Sequence, residues 1–134
     1  MSLLWTPDLS LGVEEIDSQH RELFSRADAL LGAVNSGVAA QETFRTLAFL
    51  GEYILEHFGC EERIMAKSGY PAAEKHRAEH AGLIEAYERL RRNFARSGAD
   101  ATLRLELEGV LGDWLVRHVQ STDARLGRWL LVRR

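Results

Sequence analysis

The sequence predicts an all-α protein: an up-down-up-down antiparallel four-helix bundle with an N-terminal arm and a short C-terminal helix. Three observations predict it. Apolar residues recur at alternating steps of three and four through most of the chain, the period of a bundle seam. Three short breaks, Asn35-Ser36-Gly37, Ser68-Gly69-Tyr70-Pro71 and Ser97-Gly98-Ala99-Asp100, cut the chain into four long segments, each break ending one helix in glycine and starting the next afresh. Connections this short make consecutive helices antiparallel neighbours, and no strand pattern competes.

The arm takes residues 1–16. The first helix, about 17–36, carries the stripe Ile16, His20, Leu23, Ala27, Leu30, Val34. The second, about 41–67, carries Phe44, Leu47, Leu50, Ile54, His57 with Phe58, Glu61 and Met65. The third, about 71–96, carries His76, His80, Leu83, Tyr87, Leu90, Phe94. The fourth, about 101–119, carries Leu103, Leu107, Val110, Trp114, His118, and a tail helix follows over about 122–131. Trp5 and Trp129 are expected to pin the arm and the tail, and Glu85, Glu88, Arg89, Arg91 and Arg92 to form a solvated face. The 134 residues read as a single domain.

A charged fraction of 28% beside 46% hydrophobic residues is ordinary for a soluble protein, and a net charge of −3 leaves no electrostatic footprint for nucleic acid. The apolar runs are too short to span a bilayer, and the first ten residues lack a basic start followed by an apolar run. A cytoplasmic protein with no membrane partner is the expectation. Cys60 is the one cysteine, so no intrachain disulfide forms; it reads as a small buried hydrophobe.

All five histidines interrupt these apolar stripes, and Glu61 sits in another. Polar groups aimed into a core cost a few kcal/mol each unless something there binds them, so a metal, or a pair of metals, is the natural partner. His57 and Glu61 are four residues apart, as are His76 and His80, so each pair shares a helix face. Antiparallel packing brings both pairs, His20 and His118 to one end of the bundle. Asp123 completes the set but breaks the period: five residues from His118 is a rotation of roughly 140° on a regular helix. The fourth helix is therefore expected to stop or loosen near Gln120 to Thr122, with Ser121, Thr122 or Asp123 capping the tail helix.

Three stretches now resemble the bacterial hemerythrins over nearly the whole chain: Gly12 to His20 with Leu23-Phe24; His57-Phe58-x-x-Glu61-Glu62 to Met65, then Gly69-Tyr70-Pro71 to His76-x-x-x-His80; and His118-x-x-x-x-Asp123 with Leu126-Gly127. The resemblance implies a non-haem di-iron centre with an oxo or hydroxo bridge. His76, His80 and His118 would hold one iron, His20 and His57 the other, and Glu61 and Asp123 would bridge the two. Two six-coordinate irons then keep one vacancy, on the iron with two histidines. It implies reversible binding of dioxygen, in a pocket walled by Leu23, Phe58, Trp114, Leu115 and Val119, with Glu62 bracing a ligand histidine. The expected role is oxygen transport, storage or supply to an oxygen-consuming enzyme, not catalysis. Two alternatives are an oxygen or redox sensor acting through a separate signalling partner, and a di-iron oxidase or peroxidase. The latter sites are carboxylate-rich and use Glu-x-x-His pairs, which are absent here. A structural zinc site would use only four ligands of the seven.

Overall fold

The computed structural model describes residues 3–133, so the first two residues of the expected arm lie outside it. Three long helices, α1 (Glu14–Ser36), α2 (Ala40–Ser68) and α3 (Ala73–Ser97), are followed by a composite fourth rod. That rod begins as α4 (Ala101–Leu107), widens to π-helix over Glu108–Leu115 and again over His118–Asp123, and ends as α5 (Ala124–Val132). α1 packs on α2, α2 on α3, α3 on α4 and α4 back on α1, which closes the four-helix bundle. No strand occurs among the described residues, and no helix among them is long and apolar enough to cross a membrane.

α1 and α2 end as their glycines dictate. Gly37 and Gly69 take left-handed φ of 69° and 72°, and the amide of Tyr70 reaches back to the carbonyl of Met65 at 3.0 Å. The arm ends earlier than residue 16 because Glu14, Glu15 and Asp17 favour a helix N-terminus there. Buried Asp17 then ties the arm down, accepting from the Leu11 amide at 2.8 Å and the Ser10 hydroxyl at 2.6 Å. Pro71 and Ala72 form a turn, so α3 starts two residues later than expected. Asp100 caps α4 by accepting from the Leu103 amide at 2.8 Å.

The fourth rod corrects two expectations. Of the stop or loosening expected near Gln120 to Thr122 it shows the loosening, as π-helix over His118–Asp123, while the backbone stays helical from Leu107 through Ala124 and neither Ser121, Thr122 nor Asp123 caps α5 with its side chain. The seam also shifts. Val110 and Trp114 are half-buried, while Leu111 and Leu115 take the core positions. A π-helix closes i→i+5 bonds, so its turn holds more residues and its inward face advances by four. The buried sequence becomes Leu107, Leu111, Leu115, Val119. In α2, Phe44 is 46% exposed and stacks on Phe94, and Thr43 is buried in its place.

Apolar side chains form two buried clusters with a polar layer between them. Leu23, Phe58, Leu115 and Val119 belong to the large cluster; Ile16, Met65, Tyr70 and Leu126 belong to the small one. His20, Glu61 and Asp123 each fall between a member of one and a member of the other along their rods, which sets the site between two dry plugs. Trp129 meets Tyr70 edge-on at 5.2 Å, and Trp5 packs on the large cluster beneath the Arg21 guanidinium.

Candidate metal centre

α1 presents His20, α2 His57 and Glu61, α3 His76 and His80, and the His118–Asp123 wide turn supplies its own two ends. All seven side chains are buried. On an ordinary helix His118 and Asp123 would diverge; the i→i+5 turn returns both to one face, with His118 Nε2 3.1 Å from Asp123 Oδ1.

Every imidazole turns Nε2 inward, and the two carboxylates divide the five rings between their oxygens. Glu61 Oε1 lies 3.1 Å from His76 and 3.0 Å from His80, while its Oε2 lies 3.1 Å from His57 and 3.5 Å from His20. Asp123 Oδ1 faces His76 at 3.0 Å and His118 at 3.1 Å, and Oδ2 faces His20 at 2.9 Å. Two overlapping donor groups result, His76, His80 and His118 in one and His20 and His57 in the other, with both carboxylates common to each and the donor atoms of each within 4.8 Å of one another.

The outer nitrogens of three rings are braced across helix boundaries. His57 Nδ1 donates to Gln19 of α1 at 2.7 Å, His80 Nδ1 to Glu62 of α2 at 3.0 Å, and His118 Nδ1 to Glu79 of α3 at 2.9 Å. The Thr122 hydroxyl also donates to Glu79 at 2.7 Å. A neutral imidazole that donates through Nδ1 carries a lone pair on Nε2, and here that lone pair would face a carboxylate lone pair. His118 Nε2, His20 Nε2, Glu61 Oε2 and both Asp123 oxygens are buried without a well-formed hydrogen bond. Acceptor set against acceptor in a dry core requires a cation between them, which the donor set fits: imidazole and carboxylate together suit iron or zinc.

Without a metal, protons take its place. Burial alone would lower the His20 and His76 pKa values, but hydrogen bonds to Asp123 and Glu61 outweigh it and raise both to about 9. His118 is raised against its burial by Asp123 and Glu79. Burial pushes the Glu61 carboxyl up, and the charge of His57 with the hydrogen bonds of the surrounding rings overcomes it, leaving Glu61 well below the usual range. Asp123, pushed up by burial and by Glu61, is likewise held low by His118, His20 and His76. Both carboxylates are thus ready as anions, as metal ligands must be.

Leu23, Phe58, Leu115 and Val119 are buried beside the donors, and Phe58 stacks on His80 at 3.7 Å. Trp114 departs from the pocket reading. The seam shift leaves it half-buried, flat against His118 at 4.8 Å and 12°, lining a solvent-open depression with Lys75, Arg117 and Arg125. Cys60 is more than a hydrophobe: its sulfur accepts from the Gln19 amide at 3.2 Å, which turns the Gln19 carbonyl toward His57, and its thiol donates to Glu15 at 3.4 Å. Gln19 and Glu79 were not expected. Their signal is that each immediately precedes a seam histidine and braces the histidine of the next rod.

Fold and donor set together define a cation-binding four-helix bundle. The chain belongs to the hemerythrin family: residues 11–130 match the Hemerythrin HHE cation binding domain. It is similar to the bacteriohemerythrin of Pseudomonas paraeruginosa, at 31% identity over 91% of this chain and 77% of the relative. The bacteriohemerythrin of Methylococcus capsulatus is 29% identical over 93% of this chain and 94% of its own. A wild-type hemerythrin crystal structure superposes with a TM-score of 0.81 at 29% identity, covering 94% of this chain and 95% of that one. A form of hemerythrin with one leucine exchanged for alanine superposes at 0.82, covering 96% and 97%.

Proposed function

We propose that the chain, as one hemerythrin-like domain, binds dioxygen reversibly at a non-haem di-iron centre and serves oxygen transport, storage or supply to an oxygen-consuming enzyme. The observation that carries this reading is the division of Glu61 and Asp123 between two histidine groups of unequal size. His76, His80 and His118 would hold one ion, His20 and His57 the other, and the two carboxylates would be shared. When bound, an iron pair would supply the redox-active ions that reversible dioxygen binding needs, and the group of His20 and His57 offers one imidazole fewer than the other.

The protein's own residues do the rest. Gln19, Glu62 and Glu79 fix ring orientation, so each inner nitrogen is presented without reorganisation. Leu23, Phe58, Leu115 and Val119 keep water and protons from the oxygen side, where protonation would strand the oxidised state. Trp114 shields His118 from solvent. The other ionisable side chains buried among the described residues are Asp17, committed to the arm, Cys60, whose thiol donates to Glu15, Tyr87, which donates to the Leu47 carbonyl, and Tyr70, packed edge-on against Trp129. No further acid or base is therefore placed to serve a substrate, which favours a carrier over an oxidase.

Iron quantification with absorption spectra recorded as the reduced protein is cycled between argon and air tests the proposal. A pair of irons per chain and a reversible spectral change support it; irreversible oxidation on the first exposure overturns it in favour of an oxidase.

A further inference from the structure

We propose that the two metal pockets are unequal by construction: the pocket of His76, His80 and His118 fills first and empties last, and Glu79 is the positioning residue that sets the gap. This rests on the metal-pair reading above. The inequality lies in what stands behind each ring. Two of the three rings in the first pocket are backed by carboxylates, His80 by Glu62 at 3.0 Å and His118 by Glu79 at 2.9 Å. In the second pocket His57 is backed by a neutral amide, Gln19, at 2.7 Å, and buried His20 has no partner at Nδ1. His76 Nδ1 is also unpartnered, so each pocket carries one unbacked ring and the difference falls on the backed ones. An imidazole whose outer N–H faces a carboxylate is the stronger donor at its inner nitrogen. The two bridging carboxylates are common to both pockets and do not separate them.

Glu79 does more than back one ring. The same oxygen that accepts from His118 accepts from Thr122, inside the wide turn that delivers Asp123, and Glu79 itself adjoins His80 on α3. One carboxylate thus holds His118 of the first pocket and steadies the turn that carries the shared Asp123. Trp114, flat on His118, fixes the plane of that ring from the other side.

The loaded ferrous protein, held under argon, is challenged with excess chelator while iron release is followed by colour. Two phases of equal amplitude are expected. Crystals taken after the fast phase should show anomalous density between His76, His80 and His118 and none beside His20 and His57. Glu79→Gln keeps an acceptor for His118 but removes the charge; it should weaken the slow-releasing pocket by about 10–100-fold and leave the fast phase unchanged. Gln19→Glu supplies a carboxylate behind His57 and should slow the fast phase alone. Should Glu79→Gln not fold, that second variant decides. A single phase for both irons, iron retained in the His20 and His57 pocket, or a Glu79→Gln effect shared equally by both phases overturns the inference and leaves the metal pair standing. Fewer than two irons per chain at the outset overturns both.

Discussion

Leu23→Ala separates packing from protection of the site. Leu23 is 0% exposed, one turn from His20, and belongs to the buried cluster that includes Phe58, Leu115 and Val119. Those three ride on two other rods, α2 and the fourth, and collapse only partly, so truncation should cost about 2–5 kcal/mol of stability. Leu50, also 0% exposed, lies in the same cluster two turns before His57, about 10 Å along α2. Leu50→Ala should cost a similar amount and serves as the control. The two variants part at the site. Space opened beside His20 and His57 has polar partners for water, whereas space opened at Leu50 is apolar and stays dry. One added hydrogen bond of about 1.4 kcal/mol at the oxygen side corresponds to about tenfold faster autoxidation. Thermal melts and the decay of the oxygenated spectrum measure both effects. Equal destabilisation with an unchanged decay in Leu23→Ala would refute the wall as a barrier to water and leave it as core.

Other perturbations probe the remaining links. His118→Ala should lower iron content and melting temperature together, because metal binding and folding are linked; wild-type iron in that variant would count against its place in the site. In the metal-stripped protein His20 and His76 titrate at about 9, above their ordinary 6.5. The stability they lend is complete below about pH 6.5 and lost as pH climbs through about 9. Glu61 and Asp123 shift the other way, so their share is lost in acid, below the usual carboxylate range. Melting temperatures of stripped protein at pH 6.5 and 10 check this, and a flat profile contradicts it. Gly51→Ala would place a methyl 2.2 Å from the Tyr87 hydroxyl, which donates to the Leu47 carbonyl at 2.6 Å. Displacing that ring should cost about 1–3 kcal/mol, and an unchanged urea midpoint would show that α2 and α3 separate more freely than their packing implies.

The bundle was legible because its seams repeat at helical period and its turns end in glycine, and six of the seven candidate donors because each interrupts a seam, while Asp123 lies off the period. Legibility failed where the period itself changed. Val110 and Trp114 continue a regular stripe, and only the π-helical widening hands their places to Leu111 and Leu115. His118 and Asp123 stand five apart, which signalled a distortion; a break and a wide turn satisfy that spacing equally, and the sequence does not choose between them. Gln19 and Glu79 escaped notice because a polar residue on a helix flank looks like any solvated face. Their role appears only when the neighbouring rod brings His57 or His118 to them. Cys60 was read by its burial, and its contact with Gln19 depends on the crossing of α1 and α2.

Anomalous diffraction at the iron edge from crystals of the loaded protein bears most directly on the central claim. Two peaks are expected, one among His76, His80 and His118 and one beside His20 and His57, each in contact with both Glu61 and Asp123. A single peak, or iron held anywhere else in the chain, would contradict it.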